Sequence, residues 1–175
     1  MASMPNLYKL LLSPIGRIGK RDFLIGLAVF FVVTTIFNIG FKQLENPMAR
    51  FWASLPFPFL VLHMTYCVYG KRLHDIGRSF WPVTAMIVTL IAVFITVMMV
   101  FGGAEYFASF AEYGRNNPVP PEIQQSLQAE YQAELAKGAG WLYGAMCGVI
   151  AAFSIWLAIA KPQAGANQYG PSNLN

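Results

Sequence analysis

The sequence predicts an all-α integral membrane protein: a bundle of about four transmembrane helices with one short extracytoplasmic amphipathic helix. Three observations carry this expectation: a composition too apolar for a soluble fold, four apolar runs of membrane-spanning length, and an uneven distribution of lysine and arginine about those runs. Of the 175 residues, 56% are hydrophobic and 11% charged, whereas a soluble domain carries about 25% charged residues. One domain of this length cannot hide so much apolar surface in its own core, so lipid is its natural solvent.

A hydrocarbon core about 30 Å thick takes about 20 helical residues to cross. The first run, 23–41, holds thirteen Leu, Ile, Val or Phe residues, worth about −4 to −8 kcal/mol on the insertion scale. It is longer than a signal-peptide core, and no small-x-small site follows it, so it is expected to stay uncleaved. The second run, 51–69, contains Pro56 and Pro58, which lack amide protons and are expected to kink or unwind its outer half. The third, 81–101, starts with Pro82, where a missing N–H costs nothing. The fourth, 141–160, carries Gly144 and Gly148 at a spacing that permits close helix approach. Cys67 and Cys147 lie in different runs at different predicted depths and read as small buried apolar residues.

Orientation follows from the cations. With the N-terminus cytoplasmic, the inner segments hold Lys9, Arg17, Lys20, Arg21, Lys71, Arg72, Arg78 and Lys161, and the outer ones Lys42, Arg50, Arg115 and Lys137. Eight against four is the bias that the positive-inside rule prefers, which puts both termini in the cytoplasm. The 102–140 connector is then extracytoplasmic and 161–175 is a cytoplasmic tail of a single membrane domain. Tyr106, Phe107, Phe110 and Tyr113 open the connector as interfacial aromatics, and Asn116–Asn117 with Pro118, Pro120 and Pro121 breaks any helix. Residues 122–137 read as the short amphipathic helix, entered at Pro121 and ended by Gly138. Its stripe of Ile123, Leu127, Tyr131 and Leu135 is expected to cover the bundle or lie on the membrane surface, with a partner contact as the alternative.

Polar residues gather in two segments on the predicted cytoplasmic face. In the first, Arg17, Lys20 and Arg21 are three or four residues apart and would share a face of a helix, with Asp22 offsetting part of their charge. In the second, Asp75 stands four residues from Lys71 and three from both Arg72 and Arg78, beside His74. One carboxylate among three cations reads as a bridging acceptor, best paired to arginine, whose planar fork grips both oxygens. The plainest reading is a helix-end ion-pair network, and a second is contact with anionic lipid headgroups. A His74–Asp75 acid/base pair is disfavoured, because neighbours on a helix point about 100° apart. Gly77 is expected to turn the chain into the third run.

His63 is an ionisable side chain deep in an apolar run and so a candidate intramembrane polar site, more simply read as bonded to a tyrosine or a backbone carbonyl. No metal-ligand spacing, phosphate loop, nucleophile motif or cofactor motif is present, and nothing beyond the net charge of +4 points to nucleic acid. No catalytic, cofactor or metal-binding residue is assigned.

These segments resemble a family of small bacterial inner-membrane proteins known as domain of unknown function 805. Gly16, Arg17, Lys20 or Arg21, Asp22 and Phe23 resemble its first motif, and the run from Arg72 through Leu73, His74, Asp75, Gly77, Arg78 and Ser79 to Trp81 resembles its second. The third motif is similar to Gly165, Asn167, Tyr169 and Gly170. Phe80, Pro82 and Gln168 depart from the pattern, and the 102–140 connector is longer than usual. The resemblance implies a bacterial inner membrane but no reaction. All three motifs fall on one predicted face, so Asn167 and Tyr169 are expected to fold back onto the His74–Asp75 turn and the Arg17 segment as one cytoplasmic cap. The leading expectation is a non-enzymatic module that organises membrane lipids, with anionic ones as candidates, or partner proteins, including other copies of itself. A small transporter or channel subunit using the proline-broken second helix and His63 is the alternative, and a lipid-modifying enzyme comes third.

Overall fold

The computed structural model describes residues 6–111, 113 and 118–171. Arg115, one of the expected outer cations, and Asn116 and Asn117, where a helix break is expected, lie outside them. Its helices are α1 (Leu7–Leu11), α2 (Lys20–Lys42), α3 (Pro47–Ser54), α4 (Pro56–Thr65), α5 (Lys71–Asp75), α6 (Trp81–Met98), α7 (Ala104–Ser109) and α8 (Pro121–Ile159). π-Helical turns at Tyr66–Gly70 and Met99–Gly103 join α4 to α5 and α6 to α7. Among the described residues the β-structure is a single isolated bridge, Asn167 with Gly170. Four helical stretches are long and apolar enough to cross a membrane: Lys20–Lys42, Pro47–Asp75, Trp81–Ser109 and Pro121–Ile159. The chain is an all-α, multi-pass membrane protein.

The chain divides into two compact units, residues 1–84 with 154–175, and residues 85–153. In the first, α2 packs against the Tyr66–Gly70 turn. Gly26 makes room for this, since a Cβ there would sit 3.1 Å from Val68 Cγ1. Phe23, Cys67, Val68, Leu73, Val83 and Leu157 form the buried apolar core of this unit. Phe23 meets Tyr69 edge-on, and the Tyr69 hydroxyl is 2.8 Å from the Ser154 hydroxyl. Of the kink or unwinding expected at Pro56 and Pro58, the unwinding is not seen. Leu55 keeps helical angles, φ −57° and ψ −42°, and Pro56 takes the first position of α4, where its missing N–H is one of the helix-start orphans. The ladder is interrupted there without an unwound segment.

In the second unit the apolar rod of α6 breaks at Phe101 and Gly102, which leave helical geometry (Gly102 φ 89°) before α7 resumes. The Phe101 ring covers Gly138, where a Cβ would lie 2.5 Å from it. That contact explains why Gly138 does not end the amphipathic helix: it is a packing notch, and 122–137 continues without interruption into the fourth span. At 39 residues α8 is about 58 Å long. Tyr106 of α7 stacks on Tyr131 of α8 with centroids 4.6 Å apart, so part of the Leu127–Tyr131 stripe faces α7. Together they line an acidic cleft of about 200 Å³ with Glu105, Glu130 and Glu134. Gly144 and Gly148 are exposed, with nothing within 4 Å of the position a Cβ would take. Cys147, expected to be buried, is exposed on the same apolar helix, because the medium around that surface is lipid rather than protein.

Candidate functional site: a buried charged cap

Five ionisable side chains at one end of the first unit are buried: Arg17, Lys71, Arg72, His74 and Asp75. The local fold that brings them together begins with α5. Gly77 adopts φ 75°, its amide bonds to the His74 carbonyl at 3.2 Å, and the Arg78 amide bonds to the Leu73 carbonyl at 2.8 Å. This is a Schellman stop, and it needs a residue that tolerates the left-handed region. It satisfies two orphan carbonyls and turns the chain into α6, while Phe80 packs so closely on Gly70 that a Cβ there would lie 2.0 Å from its ring.

Asp75 is the centre of the cap. One carboxylate oxygen accepts from Arg72 Nη1, and the other from Arg17 Nε at 3.3 Å. Arg72 also donates to the end of α8: Nε to the Leu157 carbonyl at 3.0 Å and Nη2 to the Ala160 carbonyl at 2.7 Å. Those are carbonyls that a helix terminus leaves without partners, and a cation there also suits the helix dipole. Lys71 does the same for α1, its Nζ donating to the carbonyls of Lys9 and Leu10 (the latter at 2.8 Å). Each buried cation is therefore matched to backbone acceptors, and the two arginines to the Asp75 charge as well, which is what makes their burial tolerable.

The tail closes the cap. Arg17 Nη2 donates to the Gln163 carbonyl at 2.8 Å, and Nη1 to those of Gly165 at 2.8 Å and Gly170 at 3.4 Å. The Gln163 amide bonds to the Asp75 carbonyl at 2.8 Å, and Asn167 Nδ2 bonds to the His74 carbonyl at 2.9 Å. Tyr169 lies parallel on the His74 imidazole, 3.7 Å between centroids. His74 Nδ1 donates to the Gly16 carbonyl at 3.2 Å; this fixes the tautomer, and His74 and Asp75 are not directed at each other.

The remaining sequence-selected residues fall elsewhere. Arg17 precedes α2, whose N-cap is Gly19, so it does not share a helical face with Lys20 and Arg21. Those two are exposed while Arg17 is buried, Asp22 is half-buried, and Arg78 is exposed beyond the turn. Asp75 thus bridges two arginines, Arg72 and Arg17, rather than collecting Lys71 and Arg78. His63 lies outside the cap: its Nε2 is 2.8 Å from the Leu12 carbonyl and 3.5 Å from Cys67 Sγ, so it fastens the segment after α1 to α4. Sequence reasoning missed α1, Gln163 and Phe80. Five residues are too few for a periodic signal, and Gln163 acts mainly through its backbone. Among the described residues no group of His, Cys, Asp or Glu side chains could hold a metal ion.

No curated protein and no solved structure matches the chain. Residues 11–115 match the family described as Protein of unknown function (DUF805), a stretch that includes Arg17, the whole of α5 and the first three spans but ends before the tail. More than half of the chain lies within that match, and the protein belongs to the DUF805 family.

Proposed function

We propose that this protein is a non-enzymatic module of a bacterial inner membrane, with both termini and the charged cap on the cytoplasmic side, where it gathers anionic lipids. The observation that supports this is a division of the basic residues by exposure. Arg17, Lys71 and Arg72 are buried and spent on internal acceptors. Five others are exposed: Lys9 in α1, and the four beside the cap, Lys20, Arg21, Arg78 and Lys161. Each of the four is within a few residues of a cap contact, so the rigid cap fixes where they stand. Trp81, three residues beyond Arg78, is 76% exposed, as an interfacial tryptophan would be. Basic side chains at such a rim are worth about 1 kcal/mol each toward an anionic surface.

Native mass spectrometry of protein extracted from vesicles of mixed phosphatidylglycerol and phosphatidylcholine tests this reading. The wild type should retain phosphatidylglycerol selectively. The variant Lys20→Gln with Lys161→Gln, which keeps the inner bias of basic residues, should lose that selectivity by about tenfold while keeping its thermal stability. Equal retention by both proteins would remove the proposal. The transport reading gains no comparable support, since Leu55 stays helical beside the prolines and His63 is engaged with the Leu12 carbonyl.

A further inference from the structure

We propose that the tail segment 163–170 is an acid-released strap, held shut by the neutral imidazole of His74. Such a strap would operate whether or not the cap gathers lipid. His74 is the point where the strap, the entry segment and the α5 turn meet. Its ring is stacked on Tyr169 of the strap and touches Phe80 edge-on at 4.4 Å. Its Nδ1–H is committed to Gly16, and its carbonyl holds Asn167. The other ring nitrogen, Nε2, is buried and has no hydrogen-bond partner among the described residues, and the residue is 4% exposed.

In the neutral ring that nitrogen is an acceptor left unused, a modest cost. Protonation changes its character. Nε2 becomes a charged donor, and the closed cap offers it no acceptor. The charge also arrives in a crowded place. Arg17 comes from the entry segment, and Lys71, Arg72 and Asp75 from the same turn, which is a formal +2 before His74 is counted. Arg78 follows the turn. The start of α6, residues 79–84, carries no charged side chain, and the strap contributes only the Tyr169 phenol as a titratable group. The single carboxylate is already shared by two guanidiniums. One effect runs the other way, because an imidazolium on the Tyr169 face gains some cation–π attraction. A ring face cannot accept the in-plane Nε2–H, and it does not offset repulsion from three buried cations. Movement of the strap resolves both problems, uncovering the ring and admitting water. The strap is suited to this: Gly165 and Gly170, at φ 75° and 135°, are hinges with open space around them, and it is fastened by hydrogen bonds and one stack rather than by a buried apolar core.

Hydrogen exchange of the full-length protein in nanodiscs, corrected for intrinsic rates, tests the proposal across the ordinary histidine range. Peptides covering 163–170 should lose protection by about tenfold between about pH 7.5 and pH 5.5, while α6 peptides do not change. His74→Phe keeps a ring under Tyr169 and removes the titration, so its strap protection should be flat with pH. His74→Gln serves the same purpose if the phenylalanine variant does not fold. Tyr169→Ala should open the strap at both pH values. Unchanged wild-type protection, protection that rises in acid, or an equal acid response in the His74 variants would each overturn the proposal, the last by shifting the cause to another group.

Discussion

Asp75 is the buried carboxylate of the described residues, and its two oxygens are divided between Arg72 and Arg17, 58 positions away in sequence. Removing its charge would leave three buried cations with backbone carbonyls alone. A broken buried pair costs about 3–5 kcal/mol, because the surviving partner stays desolvated without compensation. Asp75→Asn, nearly the same shape, should therefore lower the melting temperature in detergent by roughly 10 °C. Arg78→Gln, three residues away and exposed, should leave it unchanged. A fluorescence-monitored thermal ramp distinguishes the two. An Asp75→Asn protein as stable as wild type would show that the carbonyl acceptors alone sustain the cluster.

At the scale of elements, a helix of a single turn is not autonomous. α1 is five residues long, far below the length at which helical structure is stable by itself. Asn6 caps its start, and the Lys71 ammonium holds its last carbonyls. Lys71→Met would take away those bonds but would also remove one cation from a cluster in excess. The two effects act on different things: the first is local to α1, and the second favours the rest of the cap. Amide exchange at Leu10 and Leu12 should rise by about tenfold or more in this variant, with a melting temperature close to wild type; unchanged α1 exchange would contradict this role. The same contrast explains what the sequence made legible. The spans were readable because hydrophobic length is a local property, and the Arg72–Asp75 pair because it is a helical i,i+3 spacing. α1, the Arg17–Asp75 bridge and the passage of α8 through Gly138 depend on partners far along the chain: Lys71, the return of the entry segment, and the Phe101 ring.

For the whole molecule, orientation in the bilayer is the property on which the proposed role turns, and it rests on a bias of eight basic residues against four. Burial refines that count. Three of the eight, Arg17, Lys71 and Arg72, are folded into the cap, yet the segments are read during insertion, before the cap exists, so all eight contribute to topology. Five are exposed, and of these Lys20, Arg21, Arg78 and Lys161 are the ones proposed to meet lipid afterwards. These roles can be separated. Neutralising Lys20, Arg21, Arg78 and Lys161 leaves four inner against four outer cations, which should produce a mixed orientation. Neutralising only Lys20 and Lys161 leaves six against four and should preserve it. Alkaline phosphatase and green fluorescent protein fusions after Gly170 report the side on which the tail lies. Wild type and the double variant should be fluorescent and phosphatase-negative, and the quadruple variant should show both signals. Phosphatase activity from the wild-type fusion would place the cap outside, away from any cytoplasmic lipid surface, and would require the topology and the proposed role to be abandoned together.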